Sequence, residues 1–154
     1  MKPLPKEKID RLEYYLKGDR VALLFCLDLL YVAHLWDDLI DGDKERSIED
    51  INQGFIKSLA SIPSNQFFEL CRPALMPMMY NALIMWLEAN KLKDGGPEDR
   101  LVSYCLDNAV IEIIHFCILA KGGPDWAREV SGEFWSIFGP DHQDFLERME
   151  LDHV

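Results

Sequence analysis

Residues 21–36 form an almost unbroken apolar run that ends in His34-Leu35-Trp36-Asp37-Asp38-Leu39-Ile40-Asp41-Gly42-Asp43, four carboxylates within seven residues. An apolar helix ending in clustered acids is a buried element that delivers charge to one place. That requirement constrains the rest of the chain, which must supply enough apolar surface to surround the run. The sequence has it: 49% of its 154 residues are hydrophobic, enough for one domain with a sizeable core.

Pattern and punctuation indicate helix almost throughout. Ile9, Leu12 and Leu16 mark a first amphipathic helix that Gly18 stops. Asp19 caps a second helix, ending near Gly42. Ser47 and Asp50 form a capping-box pattern, and Ile48, Ile51, Phe55 and Leu59 share one face of a third helix. A fourth pattern runs from Pro63-Ser64 to about Lys91, where Pro73 and Pro77 predict a kink or a break. Asp94-Gly95-Gly96-Pro97 is a turn, and a fifth helix is predicted over 98–120. Gly122-Gly123-Pro124 is the next turn, and a sixth helix ends at Gly139-Pro140. The expected fold is an all-α single domain over 1–154, a bundle of about six helices, with 141–154 an acidic peripheral tail.

The formal net charge of −11 disfavours nucleic acid and anionic membrane surfaces as partners. It admits divalent cations or a basic protein partner, and the apolar helices admit a homodimer. Cys26, Cys71, Cys105 and Cys117 contain no C-x-x-C pair and read as reduced core thiols, an expectation that goes with a cytoplasmic location. No signal peptide and no membrane span are expected, because each apolar run is short or carries charge.

Two constellations carry chemistry. On the second helix, Asp37, Asp38 and Asp41 fall within roughly 100° of arc, with His34 in the same sector. Like charges so close become favourable around a hard divalent ion; the alternative is a solvated helix end. On the fifth, Tyr104, Asn108, Glu112 and His115 follow i, i+4, i+8, i+11 in otherwise apolar sequence, which predicts an inward-facing polar stripe. A self-contained Glu112–His115 pair is the alternative. Glu112-x-x-His115 also has di-iron spacing, but no second copy exists. Asn81 on the fourth helix either joins an inner site or is a satisfied core polar group. Asp28 projects away from the acid cluster and is expected to pair with a base such as Arg20 or Arg72.

Asp37-Asp38-Leu39-Ile40-Asp41 matches D-D-x-x-D at the end of a buried helix. It resembles the first aspartate-rich motif of class I isoprenoid synthases, the prenyl diphosphate and terpene synthases. The resemblance implies Mg²⁺ held by Asp37, Asp38 and Asp41, with Asn108 and Glu112 standing near the family's second metal-binding motif without matching its spacing. It implies a diphosphate-containing small molecule as ligand and a Mg²⁺-dependent prenyl diphosphate-using transferase or lyase as activity. The chain is shorter than that family's usual domains, and Arg72, Arg100 and Arg128 are the candidate diphosphate contacts. Two other readings stand beside it. One is an all-α nucleoside triphosphate pyrophosphohydrolase, whose paired E-x-x-E and E-x-x-D motifs are missing from the sequence. The other is a non-catalytic acidic protein that occupies a basic surface.

Overall fold

The structure is a computed structural model that describes residues 4–42, 45–140 and 145–146. Helices account for nearly all of it, and no strand occurs among the described residues. In chain order the elements are α1 (Lys6–Tyr15), α2 (Arg20–Asp41), α3 (Ile48–Ile56) continued by a π-helical turn over Lys57–Ser61, α4 (Gln66–Leu92), α5 (Pro97–Leu106) and α6 (Ala109–Phe138). The predicted tail, 141–154, lies outside the described residues except for 145–146.

Local signals set the boundaries of α1 to α3. The chain leaves α1 through Lys17 and Gly18, both at positive φ (58° and 74°), and the Gly18 amide donates back to the Glu13 carbonyl at 2.9 Å. Asp19 then caps α2, its carboxylate accepting from the Val21 and Ala22 amides at 2.9 Å each. Gly42 closes α2 in the left-handed region at φ 68°, its amide donating to the Asp38 carbonyl at 3.2 Å. The Ser47–Asp50 capping box is present at the start of α3.

Two boundaries differ from the sequence expectation, and a third follows it. First, α4 runs unbroken through Pro73 and Pro77. Its N-cap is Asn65, whose side chain accepts from the Phe67 and Phe68 amides and donates to the Val21 carbonyl at 2.9 Å, tying α4 to the start of α2. Second, the predicted helix over 98–120 is broken at Asp107–Asn108. The Asn108 amide side chain donates to the Tyr104 carbonyl at 2.8 Å, a local bond that competes with helix continuation. The expected turn after the fifth pattern is present inside α6, which carries non-helical geometry at Gly123 (φ 78°, ψ 175°). His115 and Ser131 lie 2.7 Å apart across it, whereas sixteen residues of straight helix would separate them by about 24 Å. The two arms of α6 therefore fold back on each other at the predicted Gly122-Gly123-Pro124 turn.

The core sits around α2, which touches α1, α3, the π-helical turn, α4 and α6. Phe25 of α2 meets Phe67 and Phe68 of α4 at ring distances of 5.9 and 5.7 Å. Tyr15 of α1 meets Phe134 of α6 edge-on at 6.1 Å, and the Trp126 indole donates to the Tyr15 carbonyl at 2.8 Å. Cys26 and Cys117 are buried side by side, and their contact together with burial raises the Cys117 thiol well above its usual value. Cys71 is half-buried and Cys105 is exposed, so the core-thiol expectation holds for two of the four. Asp28 pairs with Lys57 of the π-helical turn, not with Arg20 or Arg72. The face of α3 and the following turn formed by Ile48, Phe55 and Leu59 is turned outward. The stretch Pro97–Phe138 contains a window apolar enough to cross a membrane by length and composition, with mean hydropathy 1.5 and a third of it buried in the fold. Its arms reverse at Gly123.

Asp19 also pairs with Lys121 of α6. That partner first, and the Ala22 amide second, holds the Asp19 carboxyl below the usual carboxylate range. Its stabilising contribution is therefore complete above the unfolded value near pH ~4 and is lost as pH falls through the lowered folded value. Asp19→Ala is expected to lower unfolding free energy by about 1–2 kcal/mol at neutral pH. Urea denaturation at pH 7 and near pH 3 should show the gap between the two proteins narrowing in acid.

Candidate functional site

The acid-rich end of α2 meets the end of α4, one face of α5 and the start of α6 around a cleft of about 540 Å³. That volume is within the range of small-molecule sites. The Asp94–Pro97 turn creates it by folding α5 back beside α4, and the buried Ser103 hydroxyl pins the two by donating to the Ala89 carbonyl at 2.9 Å. The break at Asp107–Asn108 then places both of those side chains on the cleft wall.

The three aspartates of the D-D-x-x-D motif separate. Asp37 and Asp41, one helical turn apart, line the cleft. Asp37 accepts from the Trp86 indole at 2.9 Å, and the Trp36 and Trp86 rings are 4.5 Å apart. Asp41 pairs with Lys93 at 2.6 Å. The hydrogen bond to Asp41 raises the Lys93 amine above its usual value. Asp38 instead is buried, 4% exposed, in an ion pair with Arg46 from the loop before α3. The Arg46 side chain is only 9% exposed, and its Nε has no hydrogen-bond partner among the described residues.

His34 and Asn108 line the same cleft as Asp37 and Asp41. The remaining predicted residues do not. Breaking the fifth helix at Asn108 destroys the expected inward stripe: Glu112 is exposed on α6, and His115 turns to the second α6 arm, where its Nε2 meets the Ser131 hydroxyl. The Glu112–His115 alternative does not form either, since Ser131 takes the histidine. Tyr104 packs its ring 5.0 Å from Phe145. Asn81 is exposed and contacts Met85 on its own helix at 3.1 Å.

The cleft also contains residues that motif reading passed over: Trp86, Asn90, Lys93, Asp94 and Asp107, with Arg100 the one diphosphate-contact candidate that arrives there. Arg72 pairs with Glu69 on the outer face of α4, and Arg128 is exposed on α6. The signal available in sequence was the turn itself. A reversal at 94–97 brings the last turn of α4 and the first turns of α5 to one end of the bundle, so Lys93 and Arg100 become neighbours.

The arrangement defines an all-α protein with a mixed-charge cleft at the acidic end of its central helix. Four aspartates line it with one lysine and one arginine, so an uncompensated anion meets net negative charge there. Among the described residues no three His, Cys, Asp or Glu side chains converge to hold a metal by themselves. No family model, curated protein or solved structure matches the chain.

Asp38→Ala leaves Arg46 buried without its counter-charge and is expected to cost about 3–5 kcal/mol of stability. Asp38→Leu combined with Arg46→Met should recover most of that loss in urea denaturation. A double variant as unstable as Asp38→Ala alone would show that more than the ion pair depends on these two positions.

Proposed function

We propose that the cleft binds a diphosphate-bearing small molecule together with Mg²⁺, in the manner of a reduced class I isoprenoid synthase site. The observation that carries this reading is the convergence of Asp37 and Asp41 with Lys93 and Arg100 around one cleft. Mg²⁺ is usually bound by one or two carboxylates completed by substrate phosphates and water, not by a dedicated protein cage. Two carboxylates one turn apart fit that donor set. Each uses one oxygen, on Trp86 or Lys93, and keeps a second for a ligand. Asp38, committed to Arg46, falls outside this reading, and so does Glu112.

Bound Mg²⁺ would neutralise the diphosphate oxygens. Lys93 can transfer its ammonium from Asp41 to a phosphate oxygen, a charge exchange that uncovers Asp41 for the cation. Arg100 offers a planar guanidinium suited to bidentate phosphate contact. Leu30, Val110, Ile111 and Phe138 give the cleft an apolar wall for the organic part of the ligand. The acid excess makes the cation obligatory, since bare diphosphate would be repelled.

The test is a thermal melt with Mg²⁺, inorganic pyrophosphate, or both. Wild type is expected to gain roughly 5 °C with both together at a hundredfold excess over Kd, and little with pyrophosphate alone. Asp37→Asn with Asp41→Asn should abolish the gain, while Asp38→Asn lowers the starting Tm and keeps it. Trp86 fluorescence should follow the same titration. A flat wild-type response to both ligands rejects the reading.

A further inference from the structure

The outer face of α4 is apolar from end to end. Leu70, Met76, Tyr80, Leu83, Ile84 and Leu87 are between 43% and 83% exposed. At 100° per residue the last five share one arc of about 100°, with Leu70 beside it, and the arc lies opposite the face that carries Leu75, Ala82, Trp86 and Ala89 inward. No charged residue occurs between positions 73 and 87. A helix that is apolar on every side is normally buried on every side, and among the described residues nothing covers this face.

Its ends are charged in a specific pattern. Glu69 pairs with Arg72 at 2.6 Å near the start of the stripe, and Glu88 pairs with Lys91 at 2.7 Å near its end. The acid–base order is the same at both ends, and both couples are equidistant from Tyr80. An antiparallel copy of α4, related by a twofold axis at Tyr80, would set Glu69 against the partner's Lys91, since both lie within about 20° of the Tyr80 direction, while Arg72 and the partner's Glu88 stand level on opposite flanks. Met76 would stand level with the partner's Ile84. A parallel copy would instead set like charges together.

We propose that this face is the interface of a homodimer, with α4 packed antiparallel on α4 about a twofold axis at Tyr80. The six apolar side chains expose on the order of 700 Å², close to the ~800 Å² that each partner contributes to a standard-size interface. A second copy fits better than a basic partner because the stripe holds no acid to attract one. Two chains of net charge −11 also repel each other except across an uncharged strip with balanced ends. An isologous contact closes on itself, so the assembly stops at two.

Light scattering on the eluting protein at micromolar concentration should give twice the 17.9 kDa chain mass. Tyr80→Asp or Ile84→Asp should weaken dimerisation at least tenfold with the circular dichroism of the helices retained. Leu59→Ser, on an exposed apolar position elsewhere, should leave it unchanged. Lys91→Glu should weaken it roughly fivefold, and adding Glu69→Lys should restore it. A single-chain mass overturns the proposal, whether or not the protein then binds phosphatidylcholine vesicles. So does a dimer indifferent to Tyr80→Asp and Ile84→Asp. Failure of the charge exchange to restore association overturns the antiparallel register.

Discussion

Three carboxylates at the last turn of α2 set the problem that the surrounding structure answers. They lie where the helix dipole disfavours negative charge, and close enough to repel one another. Each is met by a different part of the chain. Asp38 is held by Arg46 from the connection to α3, Asp37 by the indole of Trp86, and Asp41 by Lys93 at the end of α4. These contacts draw α4 and the loop before α3 to the same end of the bundle. The acid cluster therefore organises its neighbourhood whether or not a ligand is bound.

The division of labour within the cluster follows from burial. An ion pair removed from water is costly to break but contributes modestly when intact. Asp38 and Arg46 accordingly fix the position of a loop and are poorly placed to exchange partners. Asp41 and Lys93 keep about a third of their side-chain surfaces in solvent, which lowers the cost of separating them. The same motif thus supplies one structural carboxylate and two that face a cleft.

Much of the fold was legible because its signals are local. Gly18, Asp19, Gly42 and the Ser47–Asp50 box act over five residues or fewer, and each does what its chemistry predicts. The misreadings arise where two local preferences compete. Pro73 and Pro77 lie inside α4 without breaking it, because packing of Leu75, Ala82 and their neighbours holds the helix across both. Asn108 does the reverse: one side-chain bond to Tyr104 ends a helix that apolar periodicity would have continued. With that helix broken, Glu112 and His115 no longer continue the face of Tyr104 and Asn108 on which their assignment to a site depended. Of the residues that line the cleft, Asp37, Asp41, His34 and Asn108 had been singled out by their spacing and Arg100 by its charge, whereas nothing local marked Lys93 or Asp107.

The sequence alone determined an all-helical chain, the caps and turns that divide it, and an acidic terminus on its most apolar helix. Helical periodicity and capping are properties of neighbours within a few residues, so they are written in the order of the residues. Tertiary structure decided which acid is buried, which face the cleft, and which bases stand beside them. Those outcomes depend on reversals at 94–97 and at Gly123, which bring together residues many turns apart. Tertiary structure also separated the two sides of α4, one packed on the core and one left apolar in solvent. A helix that is apolar all round carries no internal mark of which side its own chain will cover.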